Sequence, residues 1–259
     1  MTYDITATEA ARLAKWIATD VKTLYVLGGF GAPIVTTPWN NVKRFYDSHP
    51  WNATPERKKY IEANKNKNPA VFAFDCCGLW YGILWGFNAD RDARYGGTNT
   101  GADNFTWFGA STNALKACTE YSDDFRKIQV GEMLWLDGHV GVYIGDGLAV
   151  ECSPAWANKV QITAVGNIGA KAGYKTRNWK YHGKLKWVQF LPQVGDTVKV
   201  TGTKWTNGKT IPAWVRTSKS MYVRRIEEKD GKPVLLISKY AILPAYTGRV
   251  WATDAVITG

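Results

Sequence analysis

Three residues carry side chains suited to acyl-transfer chemistry: Cys76, His139 and Glu151. Cys76 lies in FDCCGLW, where a polar step leads into Leu79, Trp80, Ile83, Leu84 and Phe87 at helical spacing, which predicts a buried helix opening near Cys76. At a helix start the unsatisfied backbone N–H groups and the dipole favour thiolate over thiol. The same donors, the Cys76 N–H among them, suit a developing oxyanion. The plain alternative is that Cys76 and Cys77 are small buried apolar residues. An imidazole base must come from His49, His139 or His182. His139 opens a strand-like run, and its neighbours Gly138 and Gly141 leave space around the ring. With a three-residue loop Gly145-Asp146-Gly147, Ile144 pairs with Leu148 and His139 with Ser153. Glu151 then shares the face of His139 on a diagonal of roughly 7 to 8 Å between backbones. A two-residue loop turns Glu151 to the other face. In the first register the three residues form a nucleophile, a base and an orienter. Taken singly, His139 reads equally as a satisfied strand histidine and Glu151 as an exposed strand carboxylate.

The elements that must position these residues are legible in outline. Thr6-x-x-Glu9 has the capping-box pattern, and Ala10, Leu13, Trp16, Ile17 and Val21 follow at helical spacing, predicting a core-covering helix over about 7–21. After the glycine-rich turn at 28–31, the polar, basic, proline-punctuated stretch 33–68 reads as a surface insertion with one or two short helices. From 130 onward short strands follow, GEMLWL, HVGVYIG, LAVECS and VQITAV, separated by turn residues. Helices first and an antiparallel sheet afterwards predict an α+β fold. WKYHGKLKWVQFL closes this domain and LPQVGD reads as a linker. Beyond it VKVTGTKW, IPAWV, YVRRIEE, PVLLIS and VWATDAVI alternate apolar and polar residues, the pattern of a small β-barrel.

Composition narrows the function classes. The chain has 259 residues, 45% hydrophobic, so intrinsic disorder is excluded, and no apolar run reaches the roughly 18 to 20 residues of a membrane helix. The N-terminus lacks the basic, apolar, small-residue order of a secretory signal. Cys76, Cys77, Cys118 and Cys152 show no CxxC spacing, so neither a zinc site nor a disulfide scaffold is expected. The formal charge of +11 implies an anionic partner: nucleic acid, membrane surface or anionic cell wall. Charge concentrates toward the C-terminus, with eleven basic and five acidic residues over 193–259. The aromatic content of 14% suits surfaces that grip flexible polar polymers.

Three blocks resemble the NlpC-type cell-wall cysteine peptidases, papain-like enzymes that cut peptidoglycan stem peptides. Tyr25-Val26-Leu27-Gly28-Gly29 resembles the family's Tyr-x-x-Gly-Gly. Phe74-Asp75-Cys76-Cys77-Gly78-Leu79 resembles Asp-Cys-Ser-Gly-Leu. GEMLWLDGHVGVYIGDG, residues 131–147, resembles the histidine block, with position 151 twelve after 139 where the family places its third polar residue. The resemblance covers about 1–190 and implies Cys76 as nucleophile, His139 as general base and Glu151 as third member. It further implies that Tyr25, Asp75 and Cys77 line the stem-peptide pocket and that the scissile bond joins γ-D-glutamate to a diamino acid, without cofactor or metal. Glu151 stands where the family has His, Asn or Gln, Cys77 where it has Ser, and the insertion about 33–68 lengthens a usually shorter gap.

Residues 194–259 resemble, more weakly, the Src-homology-3-like barrels with which bacterial and phage lytic enzymes hold cell wall, with Trp205, Trp214, Tyr222 and Trp251 as groove or core aromatics. Together with the missing signal, the resemblance implies a bacteriophage endolysin, kept in the host cytoplasm until another protein releases it to peptidoglycan. The competing classes are an N-acetylmuramoyl-L-alanine amidase with the same thiol chemistry, a non-catalytic wall-binding protein, and a basic nucleic-acid binder, for which no recognised motif is present.

Overall fold

Strand β1 (Ile5–Thr6) leads into helix α1 (Ala7–Thr19). The Thr6 hydroxyl accepts the Glu9 N–H at 3.3 Å, but the return half of the capping box is missing because Arg12 holds the Glu9 carboxylate. The buried face is Ala7, Ala10, Ala11, Ala14 and Ile17, while Leu13 and Trp16 are half-buried, so small residues bring the helix close to its neighbours. Strands β2 (Thr23–Tyr25) and β3 (Phe30–Pro33) follow, then helices α2 (Lys43–Ser48) and α3 (Pro55–Asn64), then strand β4 (Phe72–Phe74). β4 lies between β2, parallel to it, and β3, antiparallel. A computed structural model of the chain describes residues 5–37, 42–98, 109–241 and 246–257, so residues 38–41 of the expected insertion lie outside it.

The stretch 33–68 is not merely a surface insertion. Val42, Phe45 and Ile61 share one core with Leu24, Val26, Ala32, Ile34, Val71 and Ala73. Arg57 of α3 is buried and donates to the Tyr25 carbonyl and, at 2.8 Å, to Asn158 Oδ1, with its guanidinium 4.5 Å from the Trp51 ring centre. This polar ten-residue helix thus anchors itself through Arg57 and Ile61 rather than through an apolar stripe.

Helix α4 (Cys76–Leu84) is followed by strands β5 (Cys118–Ser122), β6 (Met133–Leu136), β7 (His139–Gly145), β8 (Leu148–Ser153), β9 (Lys159–Val165), β10 (Thr176–Arg177), β11 (Tyr181–Leu185) and β12 (Val188–Gln189). Seven of them form one sheet in the order β10-β9-β8-β7-β6-β11-β5, antiparallel except for β10 with β9, and β12 pairs with β1. α4 packs on β7 and β8, tied by the Trp80 indole N–H to the Gly141 carbonyl at 3.0 Å. The architecture is mixed α+β, with short helices against several sheets.

The β7–β8 hairpin reaches the expected parity by a different route. Gly145 pairs with Leu148, so the turn has two residues, Asp146 and Gly147, with φ 53° and 71° as a type I′ turn requires. A bulge between Tyr143 and Gly145 then restores the alternation, and Gly141 faces Glu151. His139 lies two residues from Gly141, so His139 and Glu151 share a face after all. The bulge compensates the shortened loop.

The unit Phe190–Gly259 is separate from Met1–Gln189. It contains strand β13 (Thr197–Val200), helix α5 (Ala213–Thr217), and strands β14 (Met221–Lys229), β15 (Lys232–Ser238), β16 (Gly248–Trp251) and β17 (Ala255–Ile257). IPAWV, expected as a strand, supplies a helical turn instead, because Pro212 starts it at φ −56° and the Thr217 and Ser218 hydroxyls bond back to carbonyls of 213 and 214. The unit is therefore not all-β. Its sheet runs β16-β15-β14-β13-β17, and among the described residues no pairing joins β16 to β17 into a closed barrel; the turn Ala252–Asp254 connects them. Val198, Met221, Val223, Leu235, Ile237 and Val250 fill the core, and Trp205 packs against it. Trp214 is exposed, while Tyr222 and Trp251 are half-buried. Among the described residues no helix is long and apolar enough to cross a membrane.

Candidate active site

The start of α4 is fixed before any chemistry is considered. Asp75 is extended at φ −113°, and its Oδ1 accepts the Gly78 N–H at 2.6 Å, a side-chain N-cap. Its Oδ2 accepts the Gly28 N–H at 2.7 Å, and its own N–H donates to the Gly29 carbonyl at 2.8 Å. The Gly28-Gly29 turn is therefore clamped onto the first turn of α4. Gly78 has to be glycine, since a Cβ there would lie 1.7 Å from the Gly29 oxygen. From Leu79 to Leu84 every side chain of α4 is buried, as in a helix enclosed on all sides. These constraints hold Cys76 at the first position of the helix.

The His139 ring comes from the adjoining sheet. Besides the Cys77 thiol, His139 is the neighbouring group that, with the Val140 N–H, favours the thiolate form of Cys76 against burial. His139 Nε2 is 2.7 Å from Glu151 Oε2, which leaves Nδ1 outside that bond. The ring stacks on Trp179 at 5.5 Å between centres and 10° between planes. Gly141 makes room for that indole, because a Cβ there would come within 2.8 Å of it. Gly138 meets nothing in this way and serves its turn at φ 78°, so of the two glycines only Gly141 shapes the surroundings of the ring.

Glu151 is fully buried and satisfied on both oxygens. Arg177 Nε lies 2.9 Å from Oε1 and 2.8 Å from Oε2, and the Thr163 hydroxyl donates to Oε1 at 2.7 Å. The guanidinium in turn lies 4.7 Å from the Trp156 ring centre. A buried carboxylate balanced by a buried-edge arginine orients the imidazole without leaving a lone charge in the sheet.

Electrostatics single out one thiol. Cys76 is lowered to about 4, first by the Cys77 thiol, whose sulfur lies 4.0 Å away, and then by His139, with burial opposing. The other three thiols are raised. Cys77 is held up by its bond to Cys76, Cys118 is pushed by burial to about 12, and Cys152 is raised by burial and nearby negative groups. Burial alone would lower His139, but Cys76 and the hydrogen-bonded Glu151 outweigh it and raise it. Burial would raise Glu151, and His139 and Arg177 outweigh it and lower it. These directions favour a Cys76 thiolate above about pH 4 beside a His139 imidazolium, the latter lost as pH rises through a value above the ordinary 6.5. Iodoacetamide at pH 5 should therefore modify Cys76 and spare Cys118, with the rate rising through about pH 4. A rate for Cys76 that rises only near pH 9, the ordinary thiol value, would refute the ion pair.

The sequence-derived residues meet at one place. Tyr25 pairs with Phe74 across β2 and β4, next to Asp75 and Cys76, and its buried hydroxyl is raised by burial and by the charges of those two residues. Its ring packs edge-on against Trp51. Asp75 is raised to about 7 by burial and by Cys76, against three backbone N–H groups that hold its carboxyl at the helix cap. Cys77 lies against Cys76 and the Ser111 backbone. His182 forms a second buried pair, Nδ1 with Glu132 and Nε2–H with the Asp124 carbonyl, away from the nucleophile. His49 lies over Gly28.

No family model matches the sequence, and no curated protein is similar to it. The site therefore rests on its own geometry. Arg177, Thr163 and Trp179 were not identified from sequence. Thr163 lies two residues from Gln161, the partner of Glu151, so the β8–β9 register would have found it. Arg177 and Trp179 follow a loop and have no local signal. Asp75, Cys76 and Cys77 bring ligand atoms within 4.8 Å of one another, but both Asp75 oxygens already accept backbone N–H groups.

Proposed function

We propose that residues 1–190 are a papain-like, NlpC-type cysteine peptidase that hydrolyses peptidoglycan stem peptides, and that 194–259 is a Src-homology-3-like wall-binding module. The observation that carries this reading is the buried relay from the lowered Cys76 thiolate through His139 to Glu151 and Arg177. Such a relay performs nucleophilic acyl transfer. The thiolate attacks the peptide carbonyl and the oxyanion forms near the N–H groups of the α4 start. The His139 imidazolium then protonates the leaving amine, and the resulting thioester is hydrolysed by water with His139 as base. Glu151 keeps the ring turned toward the sulfur throughout.

The wall as substrate rests on the three sequence blocks, on the charge of +11, which favours an anionic polymer, and on the exposed aromatic side chains. The proposed bond is γ-D-glutamyl to diamino acid, and the proposed setting is a phage endolysin released to the wall by another protein. Mass spectrometry of fragments from defined peptidoglycan tests this directly. The expected products carry a new amino group on the diamino acid. Fragments with a free L-alanine amine instead would make the enzyme an amidase, and no fragments at all would make it a binding protein.

A further inference from the structure

A pocket of about 130 Å³ opens beside the site, between the Gly28-Gly29 turn and the residues brought in by α2. It is far larger than a single water needs. Phe30 and Phe45 give it apolar walls, Arg44, Ser48 and His49 supply polar groups, and among the described residues no Asp or Glu lines it.

Arg44 is half-buried, with its guanidinium 5.0 Å from the Phe45 ring centre and 4.9 Å from that of Tyr95. The Arg94 guanidinium lies 4.8 Å from the centre of the same Tyr95 ring and repels Arg44. Arg44 is affected by burial, Tyr95 and Arg94, with no carboxylate acting on it among the described residues. An arginine is always charged, so two cations share one aromatic plate without a described counter-ion. Tyr95 itself is held at φ 60°, a strained setting for a bulky residue of the kind found at ligand clamps. Gly28 has no Cβ, and one there would lie 2.1 Å from His49 Nε2, so the imidazole forms the pocket wall directly over the turn. The Gly28 N–H donates to Asp75, which ties that wall to the residue before the nucleophile.

We propose that this pocket is a subsite for a free carboxylate of the stem peptide, bound by Arg44 and His49 against Phe30 and Phe45. The identity of the ligand as substrate rests on the hydrolase reading above; the carboxylate chemistry of the pocket does not. A guanidinium forks onto a carboxylate, and the aromatic walls suit the small apolar residue that carries it.

The test uses the full chain and a stem tetrapeptide with either a free or an amidated C-terminal carboxyl group. Binding is followed in the Cys76→Ala protein by the NMR signals of Gly28, Gly29 and His49, and turnover is followed in the wild type. The acid should bind about tenfold more tightly than the amide and move those signals. Arg44→Met, which keeps the stacking stem, should abolish the preference; if that variant is misfolded, the acid-to-amide ratio of the wild type decides alone. Equal binding of acid and amide, or a preference that survives in folded Arg44→Met, overturns the proposal. A protein that shows the preference at these signals yet cleaves neither peptide keeps the carboxylate pocket and refutes the hydrolase.

Discussion

Cys76→Ala is expected to abolish release of amino groups from purified cell wall while the protein still pellets with it. The loss should be at least about 10⁴-fold, because removing the nucleophile of a relay leaves only binding and oxyanion stabilisation. None of the other thiols can substitute. Burial still raises Cys77 once its bond to Cys76 is gone, and Cys118 and Cys152 are buried with raised pKa values. The fold should tolerate the change, since position 76 is a small buried site whose helix is capped by Asp75 and not by the thiol. Lysis by the alanine variant at the wild-type rate would end the peptidase reading, and loss of wall binding with lysis would point to misfolding, visible as a lowered Tm.

Glu151→Ala should damage both stability and turnover. It removes the acceptor of Thr163, Arg177 and His139 together and strands a largely buried guanidinium, which costs about 3–5 kcal/mol. Activity should fall about 10²- to 10⁴-fold as the ring loses its orienter. Glu151→Gln, which keeps the volume and an acceptor oxygen, separates the two effects and should retain more stability than activity. The pH dependence has a definite sign. Glu151 is lowered in the fold, so its contribution is present above its ordinary 4.5 and is lost as pH falls through the folded value. His139 is raised, so its contribution is present below 6.5 and is lost as pH rises through the folded value. The stability gap between wild type and Glu151→Gln should be widest between 4.5 and 6.5. A gap that does not vary with pH, in a variant of unchanged activity, would show that Glu151 is only a packing residue.

How much of this was legible differs residue by residue. The helix start at Cys76 could be read locally, because a capping polar residue and a 3.6-residue apolar repeat both lie within a dozen positions. The shared face of His139 and Glu151 could be read only as one of two parities. The shorter loop chosen by Asp146 and Gly147 would have reversed it without the bulge at Ile144, and no residue pattern announces that bulge. His182 with Glu132 makes as close a carboxylate pair as His139 with Glu151, so the spacing of histidines and acids alone could not separate the candidate base from the second pair. The same limit explains the stretch 33–68: its polar composition predicted a surface excursion, whereas Arg57, Phe45 and Ile61 bind it into the core.

What the chain determined by itself was therefore what short-range forces decide: the capped helices, the alternating strands, the type of each reactive side chain and the excess positive charge. Only the folded structure decided which of the four thiols is favoured as thiolate, that His139 pairs with Glu151, and that Arg177, Thr163 and Trp179 surround that pair. Those choices depend on desolvation and on hydrogen bonds across a few ångströms between segments up to a hundred residues apart, and such distances are set by packing, not by sequence separation.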